Sequence, residues 1–269
     1  MIVDAHHHLW ERPYDWMAGG YEVLRRPYRI EDLRAAAEGL GVAATVAVQA
    51  DTTEHETREL LAEEVDAVVG WVDLTAPDVA GRLAALRHPR LVGIRHTVQS
   101  EPDPEWLGRA DVRRGLRAVA AAGLRYDLLV VPHQLPAAIR LARELPELPL
   151  VLDHGAKPPI AAGGWAPWSS DLGALAACKQ VHCKLSGLVT EASWDGWHEQ
   201  VGRYADRLLE AFGPRRLMFG SDWPVCTVAA SYAEVLEIAR AAVAGLSEGE
   251  RADVLGGTAR RFYGIDVAD

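Results

Sequence analysis

Cysteine is scarce in this sequence, and its pattern argues against a disulfide framework. The 269 residues include three cysteines, Cys178, Cys183 and Cys226, which form no CxxC pair. Secreted domains held by disulfides carry paired cysteines, whereas thiols inside the cell stay reduced. We therefore expect buried or idle thiols in a reducing compartment, and a cytoplasmic location.

Basic residues are too few for a nucleic-acid partner. Lysine and arginine number 28 against 38 aspartates and glutamates, a formal net charge of −10, whereas a nucleic-acid phosphate backbone demands a basic face. No apolar run approaches the roughly 20 residues that span a bilayer. The first residues also lack the basic and apolar regions of a signal peptide. The sequence thus predicts no nucleic acid and no membrane as partners, and a small molecule remains.

Three familiar functional motifs are missing as well. No GxGxxG follows the first apolar run, which disfavours a doubly wound dinucleotide-binding sheet, and no phosphate-cradling P-loop is present. The serine-containing stretches KLSGL and GSDWP do not have the GxSxG frame of a nucleophile elbow. A covalent serine mechanism is therefore disfavoured relative to attack by an activated water.

What the sequence does have is a regular alternation of short β-branched runs and longer segments with helical apolar spacing. The runs start apolar, as strands of a parallel sheet do, and read IVDAHHHL, AATVAVQA, AVVGWVDL, LVGIRHTV, YDLLVVP, LVLDHGA, VHCKLSG and LMFGSDWP. Eight strand–helix units fit the usual length of one barrel. No linker or shift in composition marks a second domain. We therefore predict an α/β protein with a single (β/α)8 TIM-like barrel domain over residues 1–269.

Several of the predicted strands end in residues that can do chemistry. These residues are His6, His8, Gln49, Trp71, Asp73, Arg95, His96, Asp153, His154, Lys157, Lys184, Ser186 and Asp222. The carboxyl ends of barrel strands meet on one face, which is where such enzymes place their active sites. A polar residue buried in a barrel mouth needs partners or a function. These strand ends therefore predict an active site.

The stretch MIVDAHHHLW raises the question of whether its three histidines are an expression tag or part of that site. A tag is usually a longer run outside the fold, whereas these histidines lie within an apolar strand pattern. Residues i and i+2 of a strand share one side, so His6 and His8 should point into the barrel and His7 outward. Two adjacent imidazoles suit zinc and similar ions. By itself, an HxH pair more often consists of core or surface histidines than of metal ligands.

Two further metal ligands come from later strands. His154 ends the run LVLDH and Asp222 lies in FGSDWP. Taken singly, His154 also fits a loop residue, and Asp222 fits a capping residue before Pro224. His6 and His8 lie on the first predicted strand, His154 on the sixth and Asp222 on the eighth. Only a closed barrel brings the ends of these strands together, so we predict a metal site made of all four side chains.

Several stretches resemble a known family at this point. DAHHHLW, LVLDHGAKP and LMFGSDWPV resemble the amidohydrolase superfamily, and within it the sugar-lactone hydrolase branch. VVGWVDL, GIRH, CKLSGLVTEA and FGSDWPVC are most similar to L-fuconolactonase-type enzymes. The resemblance covers the whole chain. It implies a hydrolase of carbohydrate metabolism, a lactonase that opens the ester ring of an aldonolactone such as L-fuconolactone.

The resemblance also implies one divalent metal, zinc being the expected ion, on the family's HxH pair and its later histidine and aspartate. The branch includes members that work with one metal and members that need none, so the sequence leaves both cases open. Two-metal members carry a bridging lysine near the end of the fourth strand. The corresponding strand ends here read RHTV and VVPH without a lysine, which argues against a binuclear centre.

Catalytic and binding roles follow from this assignment. We predict Asp222 as the general base towards water and His154 as the second catalytic residue. The substrate-binding residues are predicted to be cationic, polar or aromatic side chains at strand ends, namely Trp10, Gln49, Trp71, Arg95, His96, Lys184 and Trp223. The alternative function is a single-zinc non-oxidative decarboxylase of the same superfamily. The oligomeric state has no mark in the sequence.

Overall fold

The computed structural model describes residues 1–18 and 21–266, and its centre is a sheet of parallel strands in chain order. The strands are β1 Ile2–His7, β2 Val42–Val48, β3 Ala67–Gly70, β4 Leu91–His96, β5 Arg125–Leu128, β6 Leu150–Leu152, β7 Val181–Leu185 and β8 Leu217–Phe219. Each strand pairs in parallel with the next. A parallel bridge between His7 and Trp223 brings the segment that follows β8 beside the end of β1. The predicted (β/α)8 barrel is confirmed.

Helices occupy the connections between the strands and the segment after β8. They are α1 Ile30–Ala36, α2 Glu54–Ala62, α3 Val79–Ala85, α4 Ala110–Ala121, α5 Leu135–Glu144, α6 Trp168–Ala176, α7 Leu188–Glu191, α8 Trp197–Gln200, α9 Gly202–Phe212, α10 Tyr232–Ala242, α11 Glu248–Ala252 and α12 Thr258–Tyr263. A π-helical turn, Asp253–Gly257, joins α11 to α12. Within the described part of the chain, no helix has both the length and the apolar character needed to cross a membrane.

The helices form where the sequence supplies an apolar stripe and a start signal. In α9 the buried residues are Tyr204, Ala205, Leu208 and Phe212, a spacing that places them along one face of the helix. At the start of α10 the Ser231 side chain accepts the backbone N–H three residues later, and the glutamate at that position bonds back to the Ser231 N–H. Local sequence and packing thus agree on where these helices lie.

Apolar side chains fill the interior of the barrel below the strand ends. One cluster of buried residues joins side chains of several strands with the last helix, and it includes Val3, Ala5, Val46, Val48, Val69, Val151, Met218, Phe262 and Tyr263. Because Phe262 and Tyr263 belong to α12, the final helix closes the amino-terminal end of the barrel. The polar residues are left at the carboxyl ends of the strands.

A β-bulge in β1 determines which residues of the histidine run face the interior. The register with β2 shifts by one residue between Asp4 and His7, so Ala5 and His6 together lie opposite Val46. The Asp4 carboxylate accepts the N–H of His6 at 3.1 Å, which closes the bulge. A bulge of this kind redirects the side chains that follow it. Ala5 and His6 can therefore both face the interior, although they are neighbours in the chain.

Candidate active site

The four predicted metal ligands converge around one carboxylate oxygen. Asp222 Oδ1 lies 3.6 Å from Nε2 of His8, 3.7 Å from Nε2 of His6 and 3.8 Å from Nε2 of His154. His6, His154 and Asp222 offer donor atoms that all lie within 4.8 Å of one another. His8 Nε2 is 3.2 Å from His6 Nε2. The arrangement is a compact set of nitrogen and oxygen donors at the mouth of the barrel.

Hydrogen bonds on the far side orient two of the imidazole rings. His8 Nδ1 lies 2.7 Å from the carbonyl oxygen of Val48. Because a carbonyl only accepts, this nitrogen carries the ring proton and Nε2 keeps its lone pair. His154 Nδ1 lies 2.9 Å from Ser186 Oγ, which leaves its Nε2 facing Asp222. The Nε2 atoms of both rings thus face the place where the four side chains meet.

The backbone is strained at two of these four residues. His154 and Asp222 have φ values of 53° and 57°, in the left-handed region that residues other than glycine seldom occupy. Such conformations cost on the order of 1–3 kcal/mol each and concentrate at functional sites. Glycine makes room for the rings, since a Cβ on Gly220 would lie 2.7 Å from His6 Cβ. A Cβ on Gly187 would lie 2.4 Å from His154 Nδ1.

A buried ion cluster, consisting of Arg95, Asp127, Asp153 and Lys184, lies next to His6. Asp153 links the two cations, because Arg95 Nη1 is 3.0 Å from its Oδ2 and Lys184 Nζ is 3.0 Å from its Oδ1. His6 Nδ1 is 3.1 Å from Lys184 Nζ and 3.4 Å from Asp153 Oδ1. The side chains of the cluster are at most 4% exposed. The cluster therefore supports His6 from the barrel interior.

Burial sets the protonation states at the site. It lowers the pKa of His6, His8 and His154, the last to about 4, so the three rings are neutral at pH 7. For Asp222 burial by itself would raise the pKa. The contacts with His154, His8 and His6 outweigh it and hold the pKa of that carboxyl well below its usual range. The site thus presents neutral imidazoles around an ionised carboxylate.

A cavity of about 500 Å³ opens onto these residues, a volume within the range of small-molecule sites. Of the residues predicted from the sequence, its wall includes His8, Arg95, His96, His154 and Asp222. His6 lies behind them without exposed surface. The predicted catalytic and metal-binding residues are therefore brought together at the cavity.

Gln49 and Lys184, two predicted substrate-binding residues, lie behind the cavity wall with no exposed surface. Gln49 accepts hydrogen bonds from Arg95 Nη2 through both its backbone and its side-chain oxygen. Lys184 belongs to the buried ion cluster. In this structure their polar groups bind other side chains of the barrel.

The three predicted tryptophans also lie outside the cavity wall. Trp10 and Trp223 are 4% and 3% exposed, and both rings pack edge-on against Tyr28. Trp71 donates its indole N–H to His96 Nδ1 at 3.0 Å. Trp10 and Trp223 therefore pack in the core, and Trp71 orients the ring of His96.

Connections after the strands, including the short helix α7, supply wall residues that the strand ends did not indicate. These residues include Trp16, Tyr21, Asp51, Thr52, Gln99, Glu101, Thr190 and Glu191. Lys157, which follows the sixth strand, also lines the cavity, and its ammonium is 3.1 Å from Glu191 Oε1. Gln99 and Glu101 follow β4 by only a few residues, so a wider window after each strand would have included them. Trp16 lies in the long connection after β1, where no periodic pattern indicates which way a side chain points.

Comparison with known proteins agrees with this geometry. The sequence matches the amidohydrolase family over residues 3–265. Proteins named L-fucono-1,5-lactonase from Burkholderia multivorans and Burkholderia ambifaria are 41% and 38% identical, and each alignment covers 98% of this chain and 96% of the relative. The crystal structure of an amidohydrolase from Burkholderia multivorans with bound Zn matches with a TM-score of 0.94 and 40% identity, over 99% of this chain and all of that one. The chain belongs to the amidohydrolase family.

Proposed function

We propose that this protein opens the ester ring of a sugar lactone, an aldonolactone such as L-fuconolactone, by attack of water. One observation carries the proposal, namely the ionised Asp222 carboxylate that faces three histidine Nε2 atoms at the base of a cavity. Lactone hydrolysis needs an activated water, a stabilised oxyanion and a proton for the departing alkoxide. The relatives named L-fucono-1,5-lactonase support the same chemistry.

We further propose that His6, His8, His154 and Asp222 hold one divalent ion, with zinc the preferred one. Three imidazoles and one carboxylate are ligands of the type and number that zinc takes. The Nδ1 partners of His8 and His154 are typical of residues that orient metal ligands. An ion held there would polarise the lactone carbonyl or lower the pKa of a water molecule. The bound Zn in the similar amidohydrolase of Burkholderia multivorans supports this choice.

Asp222 acts as the general base in this proposal. Its low pKa keeps the carboxylate ionised at neutral pH, ready to accept a proton from the attacking water. The water oxygen bonds to the lactone carbon and a tetrahedral intermediate forms. The ring C–O bond then breaks, and the protonated Asp222 returns its proton to the departing ring oxygen. The product is the open-chain hydroxy acid.

Arg95 is the proposed cation for the developing oxyanion. Its guanidinium lines the cavity, and its Nη1 is held by Asp153 at 3.0 Å. Its buried Nε finds no hydrogen-bond partner among the described residues. A donor that is fixed before the reaction stabilises a developing charge without reorganisation. Arg95 is thus held ready for the negative charge that forms on the carbonyl oxygen.

The cavity wall favours a lactone over the substrate of a decarboxylase. Asp51, Glu101 and Glu191 all line the cavity, and Lys157 pairs with one of them. Three carboxylates against Arg95 and the paired Lys157 make this wall unfavourable for an aromatic carboxylate, which a decarboxylase must bind. The hydroxyls of a neutral sugar lactone would instead donate hydrogen bonds to it.

A pH-indicator assay on a panel of aldonolactones tests the proposed reaction. We expect acid release with at least one sugar lactone, because hydrolysis forms a carboxylic acid. A decarboxylase would instead take up a proton and release carbon dioxide from an aromatic acid. Chelation followed by re-addition of zinc, with metal analysis at each step, tests the ion. Absence of turnover over the whole panel with metal-loaded protein would refute the lactonase proposal.

A further inference from the structure

Glu101 is a carboxylate on the cavity wall that the proposed reaction does not use. It follows β4, and its side chain is 27% exposed. His96 Nε2 lies 2.7 Å from Glu101 Oε1, which holds this oxygen in place. The carboxylate is therefore fixed by one oxygen and can accept further hydrogen bonds from a molecule in the cavity.

The direction of the hydrogen bonds behind Glu101 follows from Trp71. An indole N–H can only donate, and that of Trp71 lies 3.0 Å from His96 Nδ1. Nδ1 of His96 therefore accepts, and the proton of the neutral ring is on Nε2, from which it is donated to Glu101. The Trp106 ring stacks on His96 with centroids 4.3 Å apart and planes at 8°. The imidazole is thus held on one face and at both nitrogens.

Gln99 adds a second acceptor to the same wall. It lines the cavity, and its side-chain oxygen is buried without a hydrogen-bond partner among the described residues. A buried acceptor left without a partner destabilises the protein. A ligand that donates a hydrogen bond would remove this cost. Glu101 therefore presents an oxygen acceptor to a molecule in the cavity, and a turn of the Gln99 amide would bring a second acceptor to the same wall.

We propose that Glu101 and Gln99 form a hydroxyl-binding subsite that selects neutral polyhydroxylated lactones, and that His96 and Trp71 are positioning residues for Glu101. This inference rests on the proposed lactonase function and assigns the residues that choose among its substrates. Sugar hydroxyls donate to both acceptors. A lactone that carries a carboxylate at the same place would be repelled by Glu101.

The test combines variants of the subsite with deoxy substrates. Wild type and Glu101→Ala are assayed on the preferred aldonolactone and on analogues that each lack one ring hydroxyl. For the wild type we expect removal of one particular hydroxyl to lower kcat/KM about 10- to 100-fold, the value of a hydrogen bond to a charged group. Glu101→Ala should show a similar loss on the parent lactone and little further loss on that analogue.

Two further variants separate binding from folding. Glu101→Gln keeps the shape of the side chain and should lower kcat/KM on the parent lactone, mainly through KM, because a hydroxyl contact binds the ground state. His96→Phe keeps the stacking on Trp106 but loses both hydrogen bonds, and it should weaken the discrimination against the same analogue. Glu105→Ala, which removes an exposed carboxylate from the same loop, should leave the selectivity unchanged.

The outcomes distinguish this inference from the proposed function. A wild type that turns over lactones while Glu101→Ala lowers kcat/KM equally for every analogue would overturn the subsite alone. If the wild type hydrolyses no lactone, the proposed function fails. The same comparison is then made on dissociation constants of the intact lactones by calorimetry, where equal constants for wild type and Glu101→Ala would also overturn the subsite.

Discussion

The ammonium group of Lys184 lies 2.6 Å from Asp127 Oδ2, and neither side chain has any exposed surface. Asp153 Oδ1 lies 3.0 Å from the same ammonium, and the Tyr263 hydroxyl donates to Asp127 at 2.8 Å. Lys184 therefore contacts both buried carboxylates between the closing helix α12 and His6, and Arg95 is a second cation on Asp153. Taking charges into such an interior is tolerated only when each has a partner.

Lys184→Met should destabilise the protein strongly, because it leaves Asp127 and Asp153 without their shared cation. Removing one partner of a buried ion pair costs about 3–5 kcal/mol. Urea unfolding followed by circular dichroism measures the loss. Lys179→Met, a change at an exposed lysine, should stay within about 0.5 kcal/mol of wild type. A loss below about 1 kcal/mol for Lys184→Met would show that the pair does not hold the barrel interior together.

Asp222→Asn should abolish most of the lactonase activity and retain the fold. The amide keeps the size of the side chain but cannot take a proton from water, and loss of a general base lowers kcat about 10²- to 10⁴-fold. Initial rates on the best aldonolactone measure this effect, and thermal unfolding checks the fold. Asp206→Asn, at an exposed position of α9, is the matched control. Full turnover by Asp222→Asn would exclude the proposed role of Asp222.

The barrel and the central donors could be predicted from the sequence because both depend on local patterns. Apolar runs that end in polar residues indicate strands whose carboxyl ends meet, and this rule identified His6, His8, His154 and Asp222. The pattern did not reveal the bulge at Ala5 and His6. Simple alternation along the strand would place the side chain of the interior-facing Ala5 on the same side as that of His7. The histidine pair was nevertheless predicted together, because the irregularity does not fall between His6 and His8.

The residues of the cavity wall could not be predicted in the same way, because contacts between side chains far apart in the sequence determine which of them reach the cavity. Lys184 ends a strand, yet Asp127 and Asp153 keep it inside the barrel. Trp71 also follows a strand, yet its N–H binds a histidine from the next strand. Glu101 comes from a loop, where no periodicity indicates direction. Tertiary contacts of this kind leave no mark in a single sequence.

Glu56 gives the protein a pH-dependent stability. Its carboxylate accepts the N–H groups of Ala50 and Asp51 and the Tyr14 hydroxyl, and burial raises its pKa to about 7. In the unfolded chain a glutamate titrates near pH 4.3. The folded state therefore holds this proton more firmly. The contribution of Glu56 to the free energy of unfolding is therefore fully present below about pH 4.3, and it is lost as the pH rises through about 7.

Glu56→Gln should remove this dependence of stability on pH, because an amide does not titrate. Between about pH 4.5 and pH 8 the wild type should lose about 3 kcal/mol more stability than the variant. Urea unfolding at several pH values measures both proteins, with Glu59→Gln, at an exposed position of the same helix, as control. Parallel stability curves for wild type and Glu56→Gln would contradict the assignment.

Gly187→Ala should damage the site through His154. Gly187 has a φ of 63°, and an added Cβ would lie 2.4 Å from His154 Nδ1. Gly39 has a φ of 73°, and a Cβ added there would have no atom within 4 Å. Gly39→Ala therefore introduces the backbone strain without the clash. Gly39→Ala should lose on the order of 1 kcal/mol in urea unfolding, and Gly187→Ala should lose more because of the clash.

Only Gly187→Ala should also lose turnover, by about 100-fold in kcat/KM, because a displacement of about 1 Å in an active site costs this much. The pair of variants thus separates strain in the backbone from displacement of the imidazole. Equal kcat/KM for the two variants would mean that His154 can shift without consequence, and its assignment as a catalytic residue would then be wrong.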